Sequence, residues 1–186
     1  FYKRCGDYFV VLVLGERGTG KSESVKRVFD CQSVNCGEFG HDITMARSRL
    51  FGHVAGAFTG AVDARKGAFT MASGKALFLD EIHLLTPEMQ GALLSALATN
   101  SAGEFTFTPL GASDEVNSKF QLIVGSNLSH EGLKKKLKPD FYDRICQRRV
   151  TFPPVSKEPD ELRHVWNSVW DGMKFQGLTN PTDIDG

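Results

Sequence analysis

The chain has 186 residues, 41% apolar and 24% charged, with 22 basic and 22 acidic side chains for a formal net charge of zero. These are the proportions of a globular domain with a sizeable core, and the balance gives the whole chain no electrostatic pull toward DNA or an anionic membrane. No apolar run approaches the roughly 20 residues of a membrane span and no charged-then-apolar leader is present, so the cytosol is the expected compartment.

Residues 9–14 form an apolar run, Phe9-Val10-Val11-Leu12-Val13-Leu14, expected to be a buried strand. It feeds into Gly15-Glu16-Arg17-Gly18-Thr19-Gly20-Lys21-Ser22, which fits G-x-x-x-x-G-K-[ST], the phosphate-binding loop. The glycines let the backbone turn tightly and aim N–H groups inward, Lys21 reaches the β- and γ-phosphates of a nucleotide, and the Ser22 hydroxyl is placed to hold Mg²⁺. Residues 22–29 continue as a helix, and 33–36 form a short strand. A helical pattern over 41–53 places Ile43, Met45, Ala46 and Leu50 on roughly one side, then breaks into a loop at Gly56-Ala57-Phe58-Thr59-Gly60-Ala61.

A short helix is expected over 65–71, ended by Ser73-Gly74. Ala76-Leu77-Phe78-Leu79-Asp80 is a continuous apolar strand that closes on two adjacent carboxylates, Asp80 and Glu81. Thr86 then caps a helix with Pro87 in its first position, and Met89, Leu93, Leu94 and Leu97 form its apolar face as far as about residue 100. Residues 103–118 read as an inserted hairpin, with Glu104-Phe105-Thr106-Phe107-Thr108 alternating as a half-exposed strand does. The next strand is 120–124, ending at Gly125-Ser126-Asn127; a helix over 129–137, a turn or helix over 139–145, a strand over 149–152 and a final amphipathic helix over 158–170 complete the order.

Strands alternating with helices imply a doubly wound, mainly parallel α/β sheet, in which ligands collect at the carboxyl ends of the strands. The noteworthy polar residues all fall at such ends. An acidic residue closing a strand is how phosphate-loop enzymes hold Mg²⁺ through water, and a neighbouring carboxylate polarises the attacking water. Asp80 takes the first role and Glu81 the second. Asn127 is suited to sense or orient the γ-phosphate or that water. The four cysteines, Cys5, Cys31, Cys36 and Cys146, have no zinc-ligand spacing and read as reduced structural thiols, while His41, His53, His83, His130 and His164 are scattered and read as structural. Lys134-Lys135-Lys136, with no interleaved aromatics, reads as a solvated helix face.

Leu50-Phe51-Gly52-His53 leading into Gly56-Ala57-Phe58-Thr59-Gly60-Ala61 resembles the signature GAFTGA loop of bacterial enhancer-binding proteins, the AAA+ ATPases that activate sigma-54 RNA polymerase. Leu77-Phe78-Leu79-Asp80-Glu81-Ile82 is similar to that family's second nucleotide motif, and the resemblance runs from about residue 9 to about residue 162. It implies an ATPase that works as a ring, usually a hexamer, with ATP and Mg²⁺ between subunits, and that moves residues 56–61 against the sigma-54 RNA polymerase holoenzyme. It also implies roles for Asn35, as the switch asparagine that pairs with Glu81, and for Arg144, as a finger reaching a neighbour's γ-phosphate; the bland reading of Arg144 is an ion pair with Asp140. Residues 103–118 resemble the family's second surface loop. Leu110-Gly111-Ala112-Ser113-Asp114 leading to Phe120-Gln121-Leu122-Ile123 is similar to the subgroup that regulates RNA end-repair operons.

The chain departs from the family pattern at Lys138, where a second arginine finger is usual, and at Val155-Ser156-Lys157-Glu158. Lysine keeps the charge and loses the two-pronged donor. The expected organisation is an α/β nucleotide-binding subdomain over 1–156 and the start of a helical lid with a tail over 157–186. The whole is read as a stretch of a longer protein in which any DNA binding belongs to another domain. An alternative stays open: a nucleotide-binding regulatory module of the same family without appreciable turnover.

Overall fold

The structure, a computed structural model, describes residues 10–154. In chain order these form β1 (Val11–Leu14), α1 (Lys21–Val28), β2 (Cys31–Asn35), a 3₁₀ turn (Cys36–Phe39), α2 (Ile43–Phe51), the two-residue strands β3 (Gly52–His53) and β4 (Arg65–Lys66), and α3 (Ala68–Met71). Next come β5 (Ala76–Asp80), a second 3₁₀ turn (Ile82–Leu84), α4 (Pro87–Ala96), β6 (Phe105–Phe107), β7 (Val116–Ser118), β8 (Gln121–Ser126), α5 (His130–Lys136), α6 (Pro139–Ile145) and β9 (Arg148–Thr151). The helix expected over 158–170, the lid and the tail lie outside the described residues.

Five strands form one parallel sheet in the order β2-β5-β8-β1-β9. Its central strands are apolar throughout because both faces are covered, and alternate residues serve opposite sides. Leu12, Leu14, Leu77, Leu79, Leu122 and Val124 enter the larger core with α2, α3, α4 and α6, while Val13, Phe78 and Ile123 face the smaller one with Val25 and Phe152. The parallel register sets Leu14 beside Ser126 and Asn35 beside Asp80, so the carboxyl ends of β1, β2, β5 and β8 share one edge.

One expected helix is divided. Arg65 and Lys66 pair antiparallel with His53 and Gly52, so only Ala68–Met71 is helical; the ladder occupies backbone groups that a helix would have used. The hairpin expected over 103–118 is present, with Phe105 opposite Ser118 and Phe107 opposite Val116. It is fastened to the body by aromatic edges: Phe69 on α3 meets Phe51, Phe107 and Phe120 at ring separations of 5.1, 5.2 and 5.0 Å. The Ser118 hydroxyl also donates to the Phe69 carbonyl at 2.7 Å. Thr86 accepts from Met89 N–H with Pro87 at the helix start, the cap expected from sequence.

Candidate functional site

The edge begins with the turn between β1 and α1. Gly18 and Gly20 have φ of 82° and 76°, a left-handed geometry that glycine adopts without steric cost, and together they swing the chain into the first turn of α1. Gly15 N–H is anchored to the Ser126 carbonyl at 3.2 Å, which ties the loop to the neighbouring strand. Lys21 opens α1 and is only 6% exposed, a burial tolerated where an anion completes the charge. It stands at the N-terminus of an eight-residue helix, whose first N–H groups carry the positive end of the dipole and suit an anion.

Ser22 and Asp80 meet there: the Ser22 hydroxyl donates to Asp80 Oδ2 at 2.5 Å, and Asp80 Oδ1 accepts from Glu81 N–H at 2.9 Å. A hydroxyl and a carboxylate are the hard oxygen donors that Mg²⁺ takes, together with phosphate oxygens and water. Among the described residues no group of three or more His, Cys, Asp and Glu could hold a metal by itself. A cation at Ser22 and Asp80 would accordingly draw most of its ligands from nucleotide and water. Asp80 fits its place because residue 125, beside it on β8, is glycine: a Cβ there would lie 2.6 Å from Asp80 Oδ1 and 3.0 Å from the Phe78 ring.

Glu81 has φ 54° and ψ 42°, the only positive φ at a non-glycine residue among those described. That conformation costs free energy and is held by its surroundings, as strained residues at functional sites often are. It turns the carboxylate inward, where Oε1 accepts from Asn127 Nδ2 at 3.3 Å and Oε2 is buried without a hydrogen bond. A buried carboxylate oxygen without a hydrogen bond is costly, and such an acceptor is kept where a function uses it.

The structure brings Lys21, Ser22, Asp80, Glu81 and Asn127 together. Asn35 lies across from Asp80 in the sheet, but its Oδ1 accepts from Gly37 N–H at 2.9 Å and caps the first 3₁₀ turn; the pairing with Glu81 implied by the family resemblance is not the one formed here. A short asparagine side chain has a local backbone donor within reach, and that bond wins over one across the edge. Arg144 on α6 donates from Nη2 to the Leu97 carbonyl at the end of α4. The guanidinium thus satisfies a helix terminus, not Asp140. Lys138 is exposed, while its backbone N–H donates to Gln90 Oε1 of α4 at 2.8 Å.

The Gly56–Ala61 loop stands away from this edge. Gly56 N–H bonds the Ala61 carbonyl at 2.8 Å and Ala61 N–H bonds the Phe58 carbonyl at 3.0 Å, leaving Thr59 and Gly60 exposed. Phe58 is half-buried with its ring 5.0 Å from that of His53, edge to face. His53 Nε2 reaches the Asp63 carbonyl at 3.0 Å; a carbonyl only accepts, so Nε2 carries the proton and Nδ1 accepts from the Ser48 hydroxyl of α2 at 2.7 Å. The second insertion supports the first: Leu110 N–H bonds the Gly52 carbonyl at 2.9 Å and Val54 N–H bonds the Leu110 carbonyl at 3.1 Å.

Three residues that sequence reasoning treated as structural or passed over are part of these assemblies. His53 anchors the loop, Gly125 leaves room for Asp80, and His83 stands 3.4 Å from Glu81 Oε2 with its Nδ1 3.0 Å from the Ser126 hydroxyl. The adjacency of His83 to the Asp80-Glu81 pair was the available signal. Burial, partly opposed by Glu81, pushes the His83 imidazole below its ordinary 6.5, so it is neutral near pH 7. Burial, with Asp80 and Glu81 adding to it, pushes the Cys36 thiol well up, in keeping with an unreactive thiol.

A parallel sheet with this strand order, a glycine-rich turn opening a helix, and an Asp-Glu pair at the neighbouring strand end define a P-loop NTPase of the AAA+ type. The sequence comparisons agree: the family model described as the Sigma-54 interaction domain matches residues 4–151. The chain belongs to that family, whose members are in general AAA+ ATPases. It is 33% identical over 179 residues to the Nif-specific regulatory protein of Rhodobacter capsulatus, covering 91% of this chain and 30% of the relative. It is 36% identical over 165 residues to the transcriptional regulatory protein RtcR of Escherichia coli K12, covering 82% of this chain and 30% of the relative. The RtcR match accords with the end-repair subgroup named from residues 110–123. Among solved structures, NtrX from Brucella abortus, in complex with ATP, shares the fold with a TM-score of 0.64 at 19% identity, covering 80% of this chain and 34% of that one. The chain therefore spans about a third of the length of these relatives.

Proposed function

We propose that this chain is the ATPase module of a sigma-54-dependent transcriptional activator, which hydrolyses ATP with Mg²⁺ to remodel the sigma-54 RNA polymerase holoenzyme through residues 56–61. The observation that carries the reading is the convergence of Ser22, Asp80, Glu81 and Asn127 beside buried Lys21, with Glu81 held in a left-handed conformation and one of its oxygens left as a buried acceptor. The ATP in the similar NtrX structure adds to it.

Phosphoryl transfer asks the protein chiefly for positioning and charge. N–H groups of 18–22 cradle the phosphates and Lys21 offsets their charge. Ser22, and Asp80 through water, would hold Mg²⁺, which neutralises charge on the phosphate oxygens. The Glu81 carboxylate would accept from the attacking water, with Asn127 fixing its orientation through Oε1. In the full-length protein these modules work as a ring, a hexamer, in the cytoplasm, with DNA contacted by another domain. Arg144 reaches a neighbour's nucleotide only by leaving the Leu97 carbonyl. That tether, with lysine at 138, favours one second reading, a regulatory module that binds nucleotide without appreciable turnover.

Phosphate release by the full-length protein, with and without sigma-54, decides between the two. Glu81→Gln is expected to bind ATP normally and to lose turnover by about 10²–10⁴-fold, the range for a general base. Lys21→Ala is expected to lose binding, and Thr59→Ala to keep ATPase and lose promoter activation. Absence of turnover in the wild type at high protein concentration would establish the regulatory reading; unchanged activation by Thr59→Ala would remove the output assignment.

A further inference from the structure

His83 belongs to no motif identified in the sequence, yet its imidazole is buried between two site residues. On one side Nδ1 is 3.0 Å from the hydroxyl of Ser126, a fully buried residue at the end of β8. On the other Nε2 is 3.4 Å from Glu81 Oε2. Ser126 Oγ already accepts from Leu128 N–H at 3.1 Å, which leaves its own proton free to donate to Nδ1. The opposite tautomer would aim the Nε2 lone pair at a carboxylate oxygen, an electrostatic repulsion in a low-dielectric site. The arrangement that avoids this repulsion has the Ser126 hydroxyl donating to Nδ1 and the Nε2–H facing Glu81.

That contact has a particular geometry. At 3.4 Å it attracts the carboxylate without forming a hydrogen bond, so Oε2 keeps a lone pair while Asn127 holds Oε1. We propose that His83 is a positioning residue for hydrolysis: the imidazole, oriented by Ser126, holds the Glu81 carboxylate turned into the site, with Oε1 on Asn127 and Oε2 a shielded acceptor. The strained backbone of Glu81 gives this holding role a purpose. A residue whose main chain is in a sparsely populated region stays there when the surrounding structure over-determines it, and His83 at Oε2 and Asn127 at Oε1 contribute to that.

This inference rests on the ATPase reading above, and one experiment separates the two. Steady-state phosphate release and affinity for a fluorescent ATP analogue are measured on the full-length protein, wild type and the variants His83→Ala, His83→Gln, Ser126→Ala and Glu81→Gln. Misplacing a catalytic group costs rate more than binding, so His83→Ala is expected to lower kcat about tenfold with KM and nucleotide affinity within about twofold. His83→Gln, which restores an N–H donor, is expected to recover most of the loss. Ser126→Ala, which releases the ring, is expected to lower kcat by a smaller factor in the same direction, and it decides the matter should His83→Ala fail to fold. Unchanged kcat in His83→Ala, or in Ser126→Ala where it must stand in, overturns the proposal. So does an equal loss in the Ala and Gln variants at normal melting temperature. If instead the wild type releases no phosphate at high protein concentration, it is the ATPase reading that falls, whereas wild-type turnover in Glu81→Gln would remove the role of Glu81 and with it that of His83.

Discussion

At the carboxyl edge of the sheet, Ser22, Asp80, Glu81, His83, Ser126 and Asn127 are joined side chain to side chain or side chain to backbone across elements far apart in sequence. At the Gly56–Ala61 loop the chain is closed by short-range backbone hydrogen bonds, and the Phe58 ring rests on one imidazole. The first construction fixes atoms on strands buried on both faces, where small displacements meet close packing. The second fixes only the outline of a loop and leaves Thr59 exposed to meet something else. A site for chemistry is thus rigid through its neighbours, and a surface for contact is shaped through its own backbone. Substitutions should accordingly separate the two: edge changes act first on ATP binding and hydrolysis, and loop changes leave the edge intact.

The largest expected effect breaks that separation through the core. Phe69 joins α2, the hairpin and the approach to β8 through its contacts with Phe51, Phe107 and Phe120. Truncating such a buried aromatic costs about 3–5 kcal/mol. Phe69→Ala is expected to lower the free energy of unfolding by that amount and to raise hydrogen exchange in 105–118 more than in β1. Equal rises in both would show that the hairpin and the edge open as one unit.

Gly125→Ala tests the edge alone. Its Cβ would fall 2.6 Å from Asp80 Oδ1 and 3.0 Å from the Phe78 ring, and neither β5 nor β8 can yield much. Overpacking of this kind costs about 1–3 kcal/mol. The displaced carboxylate should lower turnover further than stability alone predicts. Hydrolysis that follows the folded fraction, with no extra loss, would show that Asp80 has another rotamer of equal use.

How much of this was legible in the chain depends on the range of each interaction. The strands show in their apolar runs, the phosphate loop in its glycines and the Thr86 cap in its Pro87, because each is set by residues within a few positions. The division of the helix expected over 65–71 was not legible, since β4 exists only by pairing with β3. Nor was the placing of Asn35 on Gly37 or of Arg144 on Leu97: family resemblance supplies a role, while the nearest donor or carbonyl in the fold decides the contact. His83, Ser126 and Gly125 become site residues only when β5 and β8 lie side by side, a fact no local pattern contains.

Gly111→Ala sharpens the comparison from the other side. Gly111 has φ +73°, and a Cβ there would lie 2.8 Å from the Ala57 Cβ and 3.1 Å from Val54, which sets the second insertion against the base of the first. Forcing an L side chain into that conformation costs about 1–2 kcal/mol. The expected outcome is a displaced 56–61 loop with promoter activation reduced and ATP affinity unchanged. Loss of ATP affinity would show that the loop and the edge are coupled more directly than their separate hydrogen bonding indicates.

The smallest effect concerns pH and returns to the edge. Burial lowers the His83 pKa below 6.5 despite Glu81, so as pH falls the unfolded chain takes up this proton before the folded one. The unfolded state then binds more protons, and stability declines with falling pH. The stabilising contribution is full above 6.5 and is lost as pH drops from 6.5 toward the lower folded value. Wild type should lose more of its denaturation midpoint between about pH 7.5 and about pH 5 than His83→Gln, which has no imidazole to charge. Parallel curves would mean that Glu81 offsets the burial in full, with the imidazole charged and uncharged forms equally welcome. A steeper wild-type curve places a neutral ring beside Glu81 at working pH, the state in which Nε2–H steers the carboxylate without donating its proton to it.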